Sequence, residues 1–165
     1  MEPIAVVAPE ERFESLYRRT FPRVYAYVAS MLHDRSAAEE VTAQAFERAF
    51  RKRSSYRAGR GSPEAWLFGI ARHAALDELR RLKRRATEVE IGGPEDHSED
   101  VVLRETVRSA LETLDGRERD LLALKYKAGL SNGEIARVLS IRESNVGTRL
   151  HRAMEKLRRA CDEGG

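Results

Sequence analysis

The sequence predicts an all-α fold of two small helical domains joined by a flexible linker. Three observations carry this expectation. Apolar residues recur at three- and four-residue spacing over most of the chain and nowhere alternate as in a half-buried strand. Helix-start chemistry, a Ser or Asp followed three residues later by Glu, punctuates these stretches. Between residues 86 and 100 the composition turns to Gly, Pro and acids, with few apolar groups to offset the entropy of ordering. The chain therefore divides into residues 10–85, a linker at 86–100, and residues 101–161.

In the first part, Phe13, Leu16, Tyr17, Val24, Val28, Met31 and Leu32 mark a helix over residues 10–33. Pro22 lies inside it and is expected to kink or break it, because proline lacks an amide donor and crowds the preceding turn. Ser36 and Glu39 read as a capping box for a helix that ends near Arg51, with Val41, Ala45, Phe46, Ala49 and Phe50 facing inward. Residues 53–62 favour a loop that carries Tyr56 and the arginines 53, 57 and 60. Ser62-Pro63 opens the next helix, serine as N-cap and proline in the first helical position. Its apolar residues are Trp66, Leu67, Ile70, Ala71, Ala74, Leu79 and Leu82, and it ends in a basic run at 80–85. The helical phase of Trp66 favours a core role over a strand-separating wedge.

In the second part, Leu103, Val107, Leu111 and Leu114 mark one amphipathic helix. Asp115 and Glu118 start another, with Leu121, Leu122, Leu124 and Tyr126, and Gly129 stops it. Ser131 and Glu134 open a short helix with Ile135, Ala136 and Leu139. After a tight turn at 140–142, a last helix starts near Glu143, with Val146, Leu150, Ala153 and Leu157 on one stripe.

Composition excludes several classes of function. Lys and Arg outnumber Asp and Glu by only 30 to 27, so the placement of charge, not its sum, must indicate any nucleic-acid partner. The single cysteine, Cys161, can form no internal disulfide and has no Cys or His cluster around it for zinc, which fits a reducing cytoplasm. Asp96, His97, Ser98, Glu99 and Asp100 group metal-binding residue types, but in a Gly-Pro linker without a rigid scaffold. No metal or other cofactor is expected. No apolar run approaches the roughly 18 residues of a membrane span, and the first ten residues lack the pattern of a signal peptide, so no membrane insertion is expected. No nucleophile or acid cluster sits on a rigid element, so the chain does not read as an enzyme.

The helix pair after Ser131 carries the main functional signal. A short helix, a turn of about three residues and a second helix form the helix-turn-helix arrangement. Its second helix fits the major groove of DNA. With the Val146, Leu150, Ala153 and Leu157 stripe inward, the opposite face holds Ser144, Thr148, His151, Arg152 and Glu155, flanked by Asn145 and Arg149. Arg and Asn suit bidentate contacts to bases, and Thr and Ser suit phosphates. An ordinary amphipathic hairpin shows the same periodicity, so spacing alone leaves both readings open.

The segment LDGRERDLLALKYKAGLSNGEIARVLSIRESNVGTRLHRAMEKLR closely resembles region 4 of extracytoplasmic-function (ECF) sigma factors. FESLYRRTFPRVYAYVASMLHD resembles region 2.1 of the same family, and AAEEVTAQAFERAFRK resembles region 2.2. SYRAGRGSPEAWLFGIARHAALDELRRLKRR resembles regions 2.3 and 2.4. The resemblance implies a cytoplasmic protein that binds core RNA polymerase and promoter DNA, with an anti-sigma factor as a further partner. It places −35 contacts on Gly147, Thr148, His151 and Arg152, with Arg149 adjacent and Asn145 on the same face. Gly147 stands where the family is often basic. Ser140 stands where it usually has glycine, and Arg142 is a poor N-cap, so a slightly strained turn is expected. Docking on the polymerase falls on Glu39, Glu40, Ala43, Gln44 and Glu47, where a common Asp-x-x-Gln-Glu pattern is Glu40-Val41-Thr42-Ala43-Gln44. Recognition of the −10 element falls on Tyr56, Arg57 and Arg60 in the loop and on His73 and Asp77. Arg80, Arg81, Lys83, Arg84 and Arg85 form a phosphate-attracting end. Plainer readings stand beside these: a solvated polar face at 39–47 and a surface i,i+4 pair at His73 and Asp77. The competing function is a transcriptional regulator with a LuxR-type helix-turn-helix, which the region 2 resemblance argues against.

Overall fold

The computed structural model describes residues 9–86 and 101–164. Among these residues every regular element is helical: α1 (Pro9–Leu32), α2 (Arg35–Arg51), α3 (Pro63–Ala86), α4 (Val101–Glu112), α5 (Gly116–Tyr126), α6 (Asn132–Leu139) and α7 (Glu143–Gly164). Single 3-10 turns at Arg53–Ser55 and Ala58–Arg60 join α2 to α3. Past Ala86, the linker expected at 86–100 lies outside the described residues, as do the acids around His97.

Helices α1, α2 and α3 pack mutually into one bundle, and α7 packs on α4, α5 and α6 to make a second. The first core is built from Val24, Tyr27 and Val28 of α1, Ala38, Val41, Ala45, Phe46 and Ala49 of α2, and Leu67, Phe68, Ala71, Ala74 and Ala75 of α3. The alanines matter because small side chains at the contact let helix axes approach closely. The bundles are not separate globules. Leu121, Leu124, Ala128, Leu130, Ile135 and Val146 belong to the same buried cluster as the first core, through contacts of α6 with α3 and of α5 with α1. A smaller cluster under α4 and α7 contains Leu114, Leu122 and Ala153.

Several local expectations are corrected. Helix α1 runs unbroken through Pro22. Pro22 and Arg18 both face solvent, where water satisfies the carbonyl that proline leaves without a donor. Buried Val24, Tyr27 and Val28 then hold the next turns in place. The N-cap of α2 is Asp34, which accepts from the Ala37 amide at 2.8 Å, so the Ser36–Glu39 box does not form. The chain reverses through His33 in the left-handed region (φ 53°) and re-enters helix at once, which moves the cap two residues earlier. Phe50 is not inward: it is 40% exposed, with the Arg53 guanidinium 4.0 Å over its ring. The apolar stripe of α4 is covered only at its end. Leu103 and Val107 are exposed, because the last turns of α7 lie instead along Glu105, Thr106, Ser109 and Thr113. Tyr126 of α5 is also exposed.

The caps of the second bundle form as read. Asp115 with Glu118, and Ser131 with Glu134, each make a complete reciprocal capping box. Helix α5 ends at Tyr126 with Lys127 as its C-cap, and Gly129 turns the chain two residues later with φ 68°. Ser140 closes α6 in the left-handed conformation (φ 55°, ψ 46°), which confirms the strain expected of a non-glycine residue there. Ser140→Gly is therefore expected to raise stability by roughly 0.5–1 kcal/mol, the relief of the left-handed cost less the greater chain entropy of glycine. Urea unfolding measures it, and a destabilised variant would contradict the strain.

Candidate nucleic-acid and polymerase interfaces

Helix α7 presents its polar face as the periodicity requires. Val146 and Ala153 are buried and Leu150 and Leu157 half-buried, which turns Ser144, Asn145, Thr148, Arg149, His151, Arg152 and Glu155 out to solvent. The Thr148 hydroxyl donates to the Ser144 carbonyl at 3.1 Å while the residue stays exposed. His151 lies 3.4 Å from Glu155. Gly147 is half-buried, with the Asn132 side chain the nearest group a Cβ would meet, at 3.8 Å. It leaves a gap in the polar row where a side chain would reach outward.

The loop before α3 is braced by its own side chains. The Tyr56 hydroxyl donates to the Gly61 carbonyl at 2.9 Å, and the ring lies against Trp66 with centroids 5.6 Å apart. Burial, then the nearby Glu64 charge, pushes the Tyr56 hydroxyl pKa up. Trp66 is half-buried against the main core. Arg57 donates to the Ser54 carbonyl at 2.8 Å, while Arg60 is exposed on the second 3-10 turn. Ser62 caps α3, accepting from the Ala65 amide at 3.1 Å.

Along α3, His73 and Asp77 are both exposed, but the Asp77 carboxylate pairs with Arg80 at 3.3 Å. Arg81 makes two bonds to Glu78, at 2.6 and 2.9 Å, which hold that carboxyl below its ordinary pKa. Arg84 and Arg85 extend the cationic end into solvent. On α2, residues 39, 40, 43, 44 and 47 share one exposed face while Val41, Thr42, Ala45 and Phe46 are buried. Glu39 pairs with Arg35 at 3.4 Å, Glu47 with Arg51 at 2.6 Å, and Gln44 donates to Glu40 at 3.5 Å. These contacts are solvent-exposed and weak, so a partner can replace them at little cost.

The structure thus brings the α2 candidates together, and likewise those of α7. The −10 candidates spread over the loop and about three turns of α3. What the sequence reading missed joins the two bundles. Tyr27 of α1 donates to Asp120 Oδ1 of α5 at 2.6 Å, and Arg72 Nε of α3 donates to Oδ2 at 2.8 Å. Burial, then the Asp120 charge, pushes the Tyr27 pKa well above its ordinary value. The only available signal was a carboxylate at 120 inside the apolar stripe of α5.

Residues 16–85 match the family described as Sigma-70 region 2, and residues 104–157 match Sigma-70, region 4. The ECF RNA polymerase sigma factor SigK of Mycobacterium ulcerans (strain Agy99) is 32% identical over 162 residues, covering 92% of this chain and 87% of that protein. The chain belongs to the ECF RNA polymerase sigma factors.

SigK of Mycobacterium bovis (strain BCG / Pasteur 1173P2) is 30% identical over 160 residues, 91% of this chain and 86% of that one. Two solved structures share the fold. The sigma factor RpoE in complex with the anti-sigma factor NepR from Bartonella quintana superposes with a TM-score of 0.71 at 21% identity, covering 92% of this chain and 97% of that chain. CnrH in complex with the cytosolic domain of CnrY superposes with a TM-score of 0.72 at 22% identity, covering 94% and 91%. The match of residues 16–85 to region 2 decides for the sigma factor over a LuxR-type regulator. Among the described residues no helix is long and apolar enough to cross a membrane.

Proposed function

We propose that this ECF sigma factor docks on core RNA polymerase through the exposed face of α2 and directs it to promoters with two reading surfaces. Glu39, Glu40, Ala43, Gln44 and Glu47 form the docking face. Arg57, Arg60, His73, Asp77, Arg80, Arg81 and Arg84 meet the −10 element, with Tyr56 shaping their loop. Asn145, Thr148, Arg149, His151 and Arg152 meet the −35 element, with backbone approach at Gly147. The observation that carries this reading is α7: its apolar stripe is spent on the core and its polar face is exposed where a DNA groove can reach it. Residues 10–85 and 101–161 serve as the two recognition units, with 86–100 as their tether.

The polymerase performs the chemistry, and this chain supplies recognition in the cytoplasm without a cofactor. As RpoE and CnrH are each held by a partner in their solved complexes, an anti-sigma factor is the expected regulator here.

The test is transcription with purified core polymerase on a cognate and a scrambled promoter, paired with DNA binding at physiological salt. The isolated chain should bind weakly and in a salt-sensitive way. Addition of core should produce promoter-specific starts, because linked sites reinforce each other only when their separation suits both. Strong discrimination by the isolated chain, or no specific initiation with core, would overturn the reading.

A further inference from the structure

A cavity of about 510 Å³ lies among α4, α5 and α7, and none of its lining residues belongs to the surfaces assigned above. Leu111 of α4, Leu122 of α5, and Met154 and Leu157 of α7 form its apolar walls. Leu111 continues the stripe of Val107 and Leu103, which is exposed one and two turns earlier on α4. Three cations share the lining: Arg108, Arg119 and Lys127. Among the described residues no carboxylate pairs with any of them. His33, at the turn from α1 to α2, also lines the cavity. Its imidazole pKa is lowered, first by burial and then by the charges of Arg108 and Arg119. Both guanidinium charges therefore act on one part of the lining. Glu112 supplies an acid there.

We propose that this cavity binds a small amphipathic carboxylate, a molecule with one acidic head and an unbranched apolar chain. The site needs neither polymerase nor promoter, so it goes beyond the sigma-factor reading. Small-molecule sites are concave, enclose roughly 300–1,000 Å³, and set a few charged or polar groups among apolar walls. This cavity has that size and that make-up. The planar fork of an arginine matches the two oxygens of a carboxylate, and two arginines stand here without an acidic partner. Glu112 opposes a second negative charge, which favours a singly charged head over a phosphate. A single helical turn, about 11 Å wide and about 5.4 Å tall, already takes up the whole volume. A partner helix would therefore lie mostly outside, whereas an alkyl chain fits within.

The two ends of such a ligand are recognised by different forces. Its chain leaves water against Leu111, Leu122, Met154 and Leu157, and each methylene buried there adds to affinity. Its head meets Arg108 and Arg119, whose attraction is stronger beside apolar walls than in open water. The lowered His33 pKa leaves a neutral imidazole at neutral pH, which can donate one N–H to the head. A ligand that binds only the folded chain also stabilises it in proportion to the logarithm of its concentration.

The test is calorimetric titration of the full chain with decanoate below its micelle-forming concentration. Decanol and decyltrimethylammonium serve as the uncharged and cationic controls. Wild type should take up one decanoate per chain, bind decanol at least several-fold more weakly and ignore the cation. Octanoate, two methylenes shorter, should bind roughly tenfold more weakly than decanoate. Arg108→Ala and Arg119→Ala should each weaken decanoate several-fold and leave decanol unchanged, with helical circular dichroism as in wild type. Ala123→Phe places a ring in the half-buried α5 wall of the cavity and should abolish binding of both. If Ala123→Phe unfolds the chain, the arginine variants still decide. No saturable binding of decanoate would overturn the site, and so would decanol binding as tightly as decanoate. Folded arginine variants with wild-type affinity for decanoate would overturn it too. Uptake of an acidic amphipathic peptide but not of decanoate would assign the cavity to a protein partner and overturn it as well. Failure to initiate at a promoter with core polymerase would sink the sigma reading alone, since the titration uses the free chain.

Discussion

Phe68→Ala should cost about 3–5 kcal/mol of folding stability, the range for emptying a buried aromatic site. Phe68 is fully buried in α3, its ring edge-on to Tyr27 at 5.9 Å. The Arg23 guanidinium lies over the same ring, 5.7 Å from its centroid. Small domains are stable by only about 5–15 kcal/mol, so this loss removes a third or more of the total in most cases. The damage should also reach beyond the first bundle, because Tyr27 and Arg23 both hold the second one. The measurement is urea unfolding followed by circular dichroism, with Tyr126→Ala as the comparison. Tyr126 is 64% exposed and should change stability by no more than about 0.5 kcal/mol. A cost below 1 kcal/mol at Phe68 would mean that this core does not hold the chain together.

Arg152→Ala in the polymerase complex should weaken recognition of one −35 position by about 1–3 kcal/mol, or roughly 5- to 150-fold in affinity. Arg152 is exposed on α7 and belongs to neither buried cluster, so the variant should melt with wild type. Thr148→Ala should give a smaller and more uniform loss across promoter sequences if its hydroxyl grips phosphate, since such a contact carries no base information. Its hydroxyl already returns to the Ser144 carbonyl, so its removal leaves no buried group unpaired. Competition of cognate and single-substituted promoters for the polymerase complex separates the two effects. Promoter discrimination left intact by both variants would show that this face of α7 does not meet DNA.

Much of this site was legible from residue spacing. The polar face of α7 follows from Val146, Leu150, Ala153 and Leu157, because 100° per residue leaves the intervening positions only one direction. The α2 candidates at 39, 40, 43, 44 and 47 came from the family resemblance, and spacing adds only that they lie off the Val41, Ala45, Phe46 and Ala49 stripe. Both capping boxes of the second bundle were readable because their bonds close within four residues.

The errors lie where a neighbouring turn or a packing partner decides. Phe50, Leu103 and Val107 have the right spacing for burial, yet exposure depends on which neighbour arrives and at what angle. Ser36 and Glu39 make a valid capping box on paper, but the reversal at His33 hands the cap to Asp34. At Tyr56, a −10 candidate from the sequence, the fold adds what spacing does not show: the ring lies against Trp66 and the hydroxyl donates to the Gly61 carbonyl.

By itself the sequence determined the all-helical class, the caps of α5 and α6, and the residues on the outer faces of α2 and α7. These rest on interactions within one or two helical turns. Tertiary structure alone decided that the two bundles share a core and that Asp120 receives Tyr27 and Arg72 across 93 and 48 positions of chain. Local periodicity says that a face is apolar but not what covers it. A buried carboxylate in such a face has no partner until the fold brings one from far along the chain.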